Sequence, residues 1–398
     1  MKAGTKWSLR VFLTLLIVAA VSWWAVGPDW RAFLSDPPTD TRILFWSQSQ
    51  RDEGFKLLDQ LPWLVKSRDI TPSKNVRPLP KGEAISLSQD INAFFEEQSL
   101  SGALILHKGK IRFEKYGLGH SVDKRWTSFS VAKSFTSSLV GIALKEGHIS
   151  SLNDKVSQYI VGLKGSAYDD VTIEQLLTMT SGVAWNESYT DPNSDVSQFN
   201  LHQAEDGLPT IVSYMRQLKR AHPPGEKWSY STGETNLIGI LVEQATGRNL
   251  ADYLTEKIWQ PFGMENKASW LLGADGYEIS GCCIQASLRD YARYGLFILE
   301  GGAINGESIF PDDWLAKATN KQVDIGRDDK GYGYQWWTFD DGSFTARGIF
   351  GQTIFIDPKH DLVIAFNGNW LHASDPILNE KRFNFIDLIR ASIDAEDN

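Results

Sequence analysis

The chain has 398 residues, a net charge of −9 at pH 7, 42% hydrophobic residues and 12% aromatic residues. This length and composition indicate one large globular domain or two modest ones and exclude a disordered chain. The negative charge argues against nucleic acid as the main partner. The sequence has no Gly-rich phosphate loop, no His-Glu-x-x-His and no Cys-x-x-Cys. It therefore predicts no cofactor and no metal site.

An apolar run over residues 11–27 follows three basic residues near the N-terminus: Lys2, Lys6 and Arg10. A basic stretch before an apolar run is typical of a signal sequence. We expect an uncleaved signal anchor over residues 1–27 that holds the protein on the inner membrane, with the body in the bacterial periplasm. Cleavage at Ala20-Val21-Ser22 is one alternative. A buried N-terminal helix is another, which the basic flank disfavours.

Residues 28–84 are rich in proline and mix polar with aromatic residues. We interpret them as an irregular juxtamembrane arm that wraps a domain spanning residues 85–395. Residues 86–98 are predicted to be helical. Two apolar-rich runs at 102–107 and 111–116 follow, and their separation by Lys108-Gly109-Lys110 predicts a β-hairpin.

The middle of the chain, roughly residues 150–300, is predicted to be a mainly helical subdomain. Short runs rich in β-branched or aromatic residues then predict strands at 332–338, 344–348, 353–357 and 362–367, before a terminal helix at 383–393. Strands from both ends of the chain therefore flank a helical middle. The predicted fold class is α+β, with one antiparallel sheet built from both ends and flanked by helices.

The stretch Ser130-Val131-Ala132-Lys133 begins an apolar, helix-like run. Residues three apart lie on one helix face, so the lysine amine can reach the serine hydroxyl. A serine is a weak nucleophile until a neighbouring base takes its proton, and a buried lysine can be that base. Thr127 and Ser128 are predicted as N-caps of this helix. A second Ser-x-x-Lys, Ser121 to Lys124, lies in a polar run and is predicted to be a turn.

A serine–lysine hydrolase also needs a proton carrier for the leaving group and N–H donors for the oxyanion. Tyr230 precedes a predicted helix at 237–242 and is a candidate for the proton carrier. Gly348-Ile349-Phe350-Gly351-Gln352 lies between two predicted strands, where glycine lets the backbone approach a substrate closely. Either feature alone is equally consistent with an ordinary loop.

The chain resembles the serine β-lactamase and penicillin-binding-protein superfamily in three motifs and in their order. These motifs are Ser130-x-x-Lys133, Tyr230-Ser231-Thr232 and Gly348 to Gln352. The chain is most similar to its class C-related hydrolases, which include esterases and 6-aminohexanoate-dimer hydrolases. The resemblance implies a β-lactamase/transpeptidase-like fold and a small-molecule substrate. It also implies that Ser130 is acylated, that Lys133 and Tyr230 handle protons, and that the backbone N–H groups of Ser130 and Ile349 form the oxyanion hole.

The chain departs from the β-lactamase pattern at two positions. Thr232 occupies the third position of a motif that commonly reads Tyr-x-Asn in β-lactamases. Ala346-Arg347-Gly348 occupies the place of a motif that commonly reads Lys-Thr-Gly. These departures favour an ester or small amide over a lactam. Arg347 replaces the positive charge of the missing motif lysine only if its side chain faces the cleft. Substrate contacts are further expected from Thr232, Arg347, Gly348, Trp185 and Tyr189.

Three alternatives stay open at this point. One is a penicillin-binding DD-peptidase or β-lactamase, and another is a non-catalytic binding protein with the same fold. A Ser-His-Asp hydrolase is a third, although the sequence has no Gly-x-Ser-x-Gly elbow. The adjacent cysteines Cys282 and Cys283 are expected to be free, because neighbouring residues meet disulfide geometry poorly.

Overall fold

The computed structural model describes residues 2–61 and 64–397, without the side chains of residues 2–6, 8, 9 and 397. Pro62 of the predicted arm and the side chains of Lys2 and Lys6 in the predicted anchor therefore lie outside the described part. The α-helices are α1 Lys2–Ala25, α2 Pro28–Ser35, α3 Gln48–Leu57, α4 Ile91–Glu97, α5 Ala132–Lys145, α6 Val156–Tyr159, α7 Ile173–Leu177, α8 Asp195–Gln198, α9 Thr210–Met215, α10 Thr232–Thr246, α11 Leu250–Leu254, α12 Gln260–Phe262, α13 Leu288–Leu299, α14 Trp314–Thr319 and α15 Pro376–Asp397.

The strands are β1 Lys66–Ile70, β2 Leu100–His107, β3 Lys110–Tyr116, β4 Trp126–Thr127, β5 Ala268–Leu272, β6 Ile284–Ala286, β7 Ala303–Ile304, β8 Glu307–Ser308, β9 Val323–Asp324, β10 Lys330–Tyr332, β11 Trp337–Phe339, β12 Phe344–Gly348, β13 Gln352–Asp357 and β14 Leu362–Gly368.

The main sheet runs in the order β3-β2-β14-β13-β12-β11-β10-β9, and each neighbouring pair is antiparallel. It joins the two ends of the chain where β2 pairs with β14, with Leu104 opposite Ala365. The predicted antiparallel sheet built from both ends is confirmed. The hairpin of β2 and β3 is also confirmed, and its turn residues Lys108 and Gly109 have φ angles of 51° and 69°.

Both faces of the central strands are covered by helices. Every residue of β2 and β14 is buried. Tyr291 and Leu296 of α13 belong to the hydrophobic cluster on one face of the sheet. On the other face, Phe94 of α4 stacks on Phe385 of α15 with ring centroids 4.0 Å apart. This double cover explains why β2 and β14 are nearly continuous apolar runs.

The middle of the chain contains α6 to α13, as the predicted helical subdomain requires, but it also supplies β5 and β6. These two strands form a second antiparallel sheet in the order β1-β5-β6-β4. In this sheet, Ile70 of β1 pairs with Ala268 of β5.

The prediction of an irregular arm over residues 28–84 is wrong, because this segment contains α2, α3 and β1. Its prolines lie mostly between these elements, and Pro28 occupies the first turn of α2, where the missing N–H costs no hydrogen bond. Ser47 and Gln50 form a capping box at the start of α3. Phe33, Trp46 and Phe55 of the arm share a hydrophobic cluster with residues of the main body, among them Trp126 and Phe350.

Two further local predictions need correction. The helix expected at 86–98 begins only at Ile91, where the Asp90 side chain accepts hydrogen bonds from two backbone N–H groups. The single strand expected at 332–338 is broken into β10 and β11, because the chain turns through Gln335, which has a φ of 64°.

Helix α1 exposes apolar side chains to the surroundings, among them Phe12, Leu15, Ile17 and Val21. Among the described residues, no single helix has both the length and the apolar character needed to cross a membrane. The segments Arg10–Ala25 and Pro28–Ser35 reach that threshold only as a pair, which is bent by 111°.

Candidate active site

Ser130 lies in a short 3₁₀ turn, Phe129–Val131, that leads directly into α5. Its side chain is largely buried, with 9% of the residue exposed. Of the two predicted caps, Ser128 occupies the N-cap position of this turn without a capping hydrogen bond from its side chain, and Thr127 is wrong. Thr127 belongs to β4, and the Ser128 hydroxyl donates to the carbonyl of Phe129 and accepts from the backbone N–H of Ile284. These hydrogen bonds tie the serine segment to β6 of the second sheet rather than to the helix it precedes.

Lys133 follows on the first turn of α5 and is almost completely buried, with 1% of the residue exposed. Its Nζ donates to Thr232 Oγ1 at 2.9 Å and to the carbonyl oxygen of Gly281 at 2.8 Å. Burial lowers the pKa of Lys133 to about 7, against an opposing effect of the nearby Glu187 carboxylate. A substantial fraction of this amine is therefore neutral at physiological pH and able to accept a proton.

Tyr230 lies against an aromatic group, stacked on Trp337 with ring centroids 5.6 Å apart. The Lys133 ammonium nitrogen is 5.3 Å from the centre of the tyrosine ring. Burial, together with the charge of Glu187, raises the pKa of the Tyr230 phenol above its ordinary value, although Ser130 and Arg347 act in the opposite direction. The phenol is thus protonated at neutral pH, which suits a proton donor better than a base.

The end of β12 lies against the serine segment. A Cβ atom on Gly348 would approach the carbonyl oxygen of Ser128 to 2.5 Å and the Phe129 Cβ to 3.0 Å, so only glycine allows this approach. Gln352 secures the following turn, because its amide donates to the carbonyls of Ile349 and Gly368. Ser130 and Ile349 both line the same cavity.

A cavity of about 520 Å³ opens over this group of residues. Its lining residues include Ser130, Thr232, Gly281 and Ile349. Its other walls come from residues 271–274, from α8 and the turn after it, and from the arm at residues 41–44 and 64–66. The walls are mainly apolar, so the cavity is suited to a hydrophobic group attached to a carbonyl.

The structure brings some of the predicted substrate residues to the cavity. Thr232 and Tyr189 line it. Trp185 instead packs its ring against Phe199 and Tyr214, at centroid distances of 6.2 and 6.4 Å.

Arg347 points toward α15, where it donates to Asn379 Oδ1 at 2.6 Å. Its guanidinium also lies over the Trp337 ring at 5.5 Å. Burial lowers the pKa of Arg347 to about 10, and its positive charge in turn lowers the pKa of the Tyr230 phenol. The charge of Arg347 therefore affects the pKa of Tyr230. Its guanidinium is not positioned to replace the lysine that binds a lactam substrate in β-lactamases.

Sequence reasoning missed Glu187, which lies between Trp185 and Tyr189. One carboxylate oxygen accepts from the Thr232 N–H at 2.9 Å, and the other accepts from the Tyr189 hydroxyl at 2.8 Å. The Thr232 hydroxyl and the Trp185 indole also donate to this carboxylate. Glu187 therefore lies at the N-terminus of α10, where the helix dipole favours negative charge. An acidic residue between two aromatic residues was the only sequence signal.

Two smaller predictions concern short turns. Cys282 and Cys283 lie side by side at a turn where Cys283 adopts a φ of 83°, and the expectation that their thiols are free stays a prediction. The second Ser-x-x-Lys is in a turn, as predicted, and its Lys124 forms a salt bridge with Asp29.

Known proteins resemble this chain over most of its length. Residues 87–384 match the family model described as beta-lactamase. The 6-aminohexanoate-dimer hydrolase of Paenarthrobacter ureafaciens is 26% identical over 332 residues, which cover 79% of this chain and 84% of that protein.

Solved structures show the same fold. A Bacillus anthracis protein assigned as a 6-aminohexanoate-dimer hydrolase superposes with a TM-score of 0.76 at 23% identity, covering 90% of this chain and 95% of that one. A family VIII carboxylesterase has a TM-score of 0.58 at 18% identity, covering 76% and 95% respectively. Because the family match spans about three quarters of the sequence, the chain belongs to the beta-lactamase family and is a serine hydrolase.

Proposed function

We propose that the protein hydrolyses carboxylic esters or small amides through an acyl-enzyme on Ser130. The observation that carries this proposal is the Lys133 amine. It is buried one helical turn from Ser130, its pKa is lowered to about 7, and its hydrogen bonds go to a hydroxyl and a carbonyl rather than to a carboxylate. Such an amine can take a serine proton near neutral pH.

In the proposed reaction, Lys133 removes the Ser130 proton as Oγ attacks the substrate carbonyl carbon. The backbone N–H groups of Ser130 and Ile349 stabilise the resulting oxyanion. The bond to the leaving alkoxide or amine then breaks, and Tyr230 donates a proton to the leaving group while Lys133 restores the proton of the phenol. A water molecule, deprotonated in the same way, attacks the acyl-enzyme and releases the carboxylic acid, which regenerates the Ser130 hydroxyl.

The mainly apolar cavity supports substrates with a hydrophobic acyl group. Lactams are disfavoured because Thr232 replaces an asparagine and is engaged by Glu187, and because Ala346 is buried within β12. The names of the relatives, a 6-aminohexanoate-dimer hydrolase and a carboxylesterase, also favour amide and ester bonds.

A fluorophosphonate probe tests the assignment of the nucleophile. The wild-type protein should be labelled and should hydrolyse p-nitrophenyl butyrate, whereas Ser130→Ala should do neither. Ser137→Ala serves as the matched control, because Ser137 is also a buried serine, lies on α5 and has no part in the proposed chemistry. Equal labelling of Ser130→Ala and wild type would show the assignment to be wrong. Stable labelling by a fluorescent penicillin would instead favour a penicillin-binding enzyme.

We also propose that α1 attaches the protein to the inner membrane, with the hydrolase domain in the periplasm. Support comes from the exposed apolar side chains of α1 and from the basic residues in its sequence. Deletion of residues 1–27 should move the activity from the membrane fraction to the soluble fraction. A C-terminal alkaline phosphatase fusion should be active, because that reporter folds only after export. An inactive fusion would contradict the periplasmic location.

A further inference from the structure

Two phenylalanines beside the proposed oxyanion hole have left-handed backbones. Phe129 immediately precedes Ser130 and has a φ of 42°, and Phe350 immediately follows Ile349 and has a φ of 59°. A bulky L-residue is strained in this region, and such strain persists only where the surrounding structure enforces it. The two rings contact each other, with centroids 5.3 Å apart. Each oxyanion donor is therefore attached to a backbone conformation that needs support.

The support comes from α3 in the N-terminal arm. The ring of Phe55, which is completely buried, lies 5.0 Å from Phe129 and 5.7 Å from Phe350. Its ring also meets Trp126 edge-to-face at 5.6 Å. One side chain of the arm thus contacts both strained residues at once.

Arg51, one turn earlier on α3, completes the contact. Its guanidinium lies 4.2 Å from the centre of the Phe350 ring. It also donates to the carbonyls of Trp370 and Leu371, each at 3.0 Å. The Trp370 N–H in turn donates to the Phe350 carbonyl at 3.1 Å. Arg51 therefore holds Phe350 both by its ring and through the segment that hydrogen-bonds its backbone.

We propose that Phe55 and Arg51 are positioning residues for the oxyanion hole, so that the arm is a working part of the active site. The family match begins only at residue 87, and the arm lies outside it. Oxyanion donors act only when they are held at the position of the developing charge, and a small displacement costs much of the rate. This inference rests on the proposed function, because it assumes that Ser130 and Ile349 provide the donors.

The test replaces Phe55 in the full chain and compares it with a matched control. Phe55→Leu should lower kcat for p-nitrophenyl butyrate by about tenfold to a hundredfold with little change in KM. It should weaken binding of a trifluoromethyl ketone, which forms a tetrahedral oxyanion on the serine, by a similar factor. Phe33→Leu makes the same change in the same arm cluster but without contact to Phe129 or Phe350, and should retain wild-type kcat.

Arg51→Lys provides a second variant in case Phe55→Leu does not fold. Lysine keeps the positive charge but lacks the planar guanidinium that donates hydrogen bonds to two carbonyls. The kcat of this variant should therefore fall, while its unfolding temperature should stay near that of Phe33→Leu. Wild-type kcat and ketone affinity in a folded Phe55→Leu or Arg51→Lys would overturn the inference. An inactive wild type that the fluorophosphonate does not label would instead overturn the proposed function itself.

Discussion

Lys133 and Glu187 share one hydroxyl, that of Thr232, which accepts a hydrogen bond from the lysine amine and donates one to the glutamate carboxylate. The lysine and the carboxylate are thereby coupled without a direct salt bridge. A direct ion pair would hold the amine in its charged form and remove it as a base. The intervening threonine keeps the carboxylate close enough to raise the pKa of Lys133 while burial lowers it to about 7.

This coupling predicts a change in the pH dependence of Glu187→Gln. In the wild type, kcat/KM should rise with pH around 7, because the active form of Lys133 is the neutral amine. Removal of the Glu187 charge lowers the pKa of Lys133 further, so the midpoint of this rise should move to lower pH. The measurement is a pH–rate profile between pH 5 and 9. Glu226→Gln, at an exposed position, is the control, and an unmoved midpoint in Glu187→Gln would contradict the coupling.

Lys133→Met should abolish turnover but stabilise the fold at low pH. The folded state lowers the pKa of Lys133 from 10.5 to about 7, so below pH 7 the protein carries the full cost of a buried charge. Between about pH 7 and 10.5 the unfolded state binds more protons, and the cost disappears as the pH rises. Methionine should therefore raise the free energy of unfolding by about 1–4 kcal/mol at pH 6 and by less at pH 9.

Urea denaturation at both pH values measures this difference. Lys145→Met, at the exposed end of the same helix, should show no such dependence on pH. A Lys133→Met variant less stable than wild type at pH 6 would mean that the buried ammonium contributes net stability.

Gly348→Ala should reduce kcat by about a hundredfold with little change in KM. The added Cβ would meet the Ser128 carbonyl at 2.5 Å, so β12 must move away from the segment that carries Ser130. Steady-state kinetics measures the loss, and a cooperative unfolding transition with a wild-type circular dichroism spectrum confirms that the variant is folded. Wild-type turnover in this variant would show that the close approach does not set the geometry of the site.

Leu44→Trp should shift the selectivity of the enzyme toward short acyl groups. Leu44 lines the cavity from the arm side, and a larger side chain there reduces the space available to the substrate. The ratio of kcat/KM for p-nitrophenyl octanoate to that for the acetate should fall by about tenfold. Leu34→Trp, at an exposed arm position outside the cavity, is the control. An unchanged ratio would mean that the acyl group does not occupy this part of the cavity.

The fold was predictable from sequence where local pattern and long-range pairing agree. The alternating and apolar runs of β2, β3, β12, β13 and β14 all predicted strands, and the order of Ser130, Lys133 and Tyr230 predicted the candidate site. Strand β1 was not predictable, because it forms by pairing with β5, far along the chain, and its own sequence, Lys-Ser-Arg-Asp-Ile, is mostly polar.

Glu187 was not predictable for a similar reason. Its role depends on the loop that places its carboxylate at the start of α10. The distance between the Glu187 carboxylate and the Thr232 N–H cannot be read from the local sequence around either residue. The raised pKa of the Tyr230 phenol likewise follows from its burial, which includes aromatic rings contributed by β10 and β11. The order of the motifs in the sequence identified Tyr230 as a candidate, but only its surroundings in the fold determine whether it donates or accepts a proton.

The pairing of β1 with β5 has a practical consequence for expression of this protein. A truncated chain beginning at the family boundary, residue 87, would lack β1 and leave the edge of β5 unpaired. It would also expose Trp126, Phe129 and Phe350, which the arm covers. An open strand edge beside an uncovered aromatic patch favours aggregation. A soluble preparation that removes only the apolar N-terminal helix should therefore keep every residue from Pro28 onward.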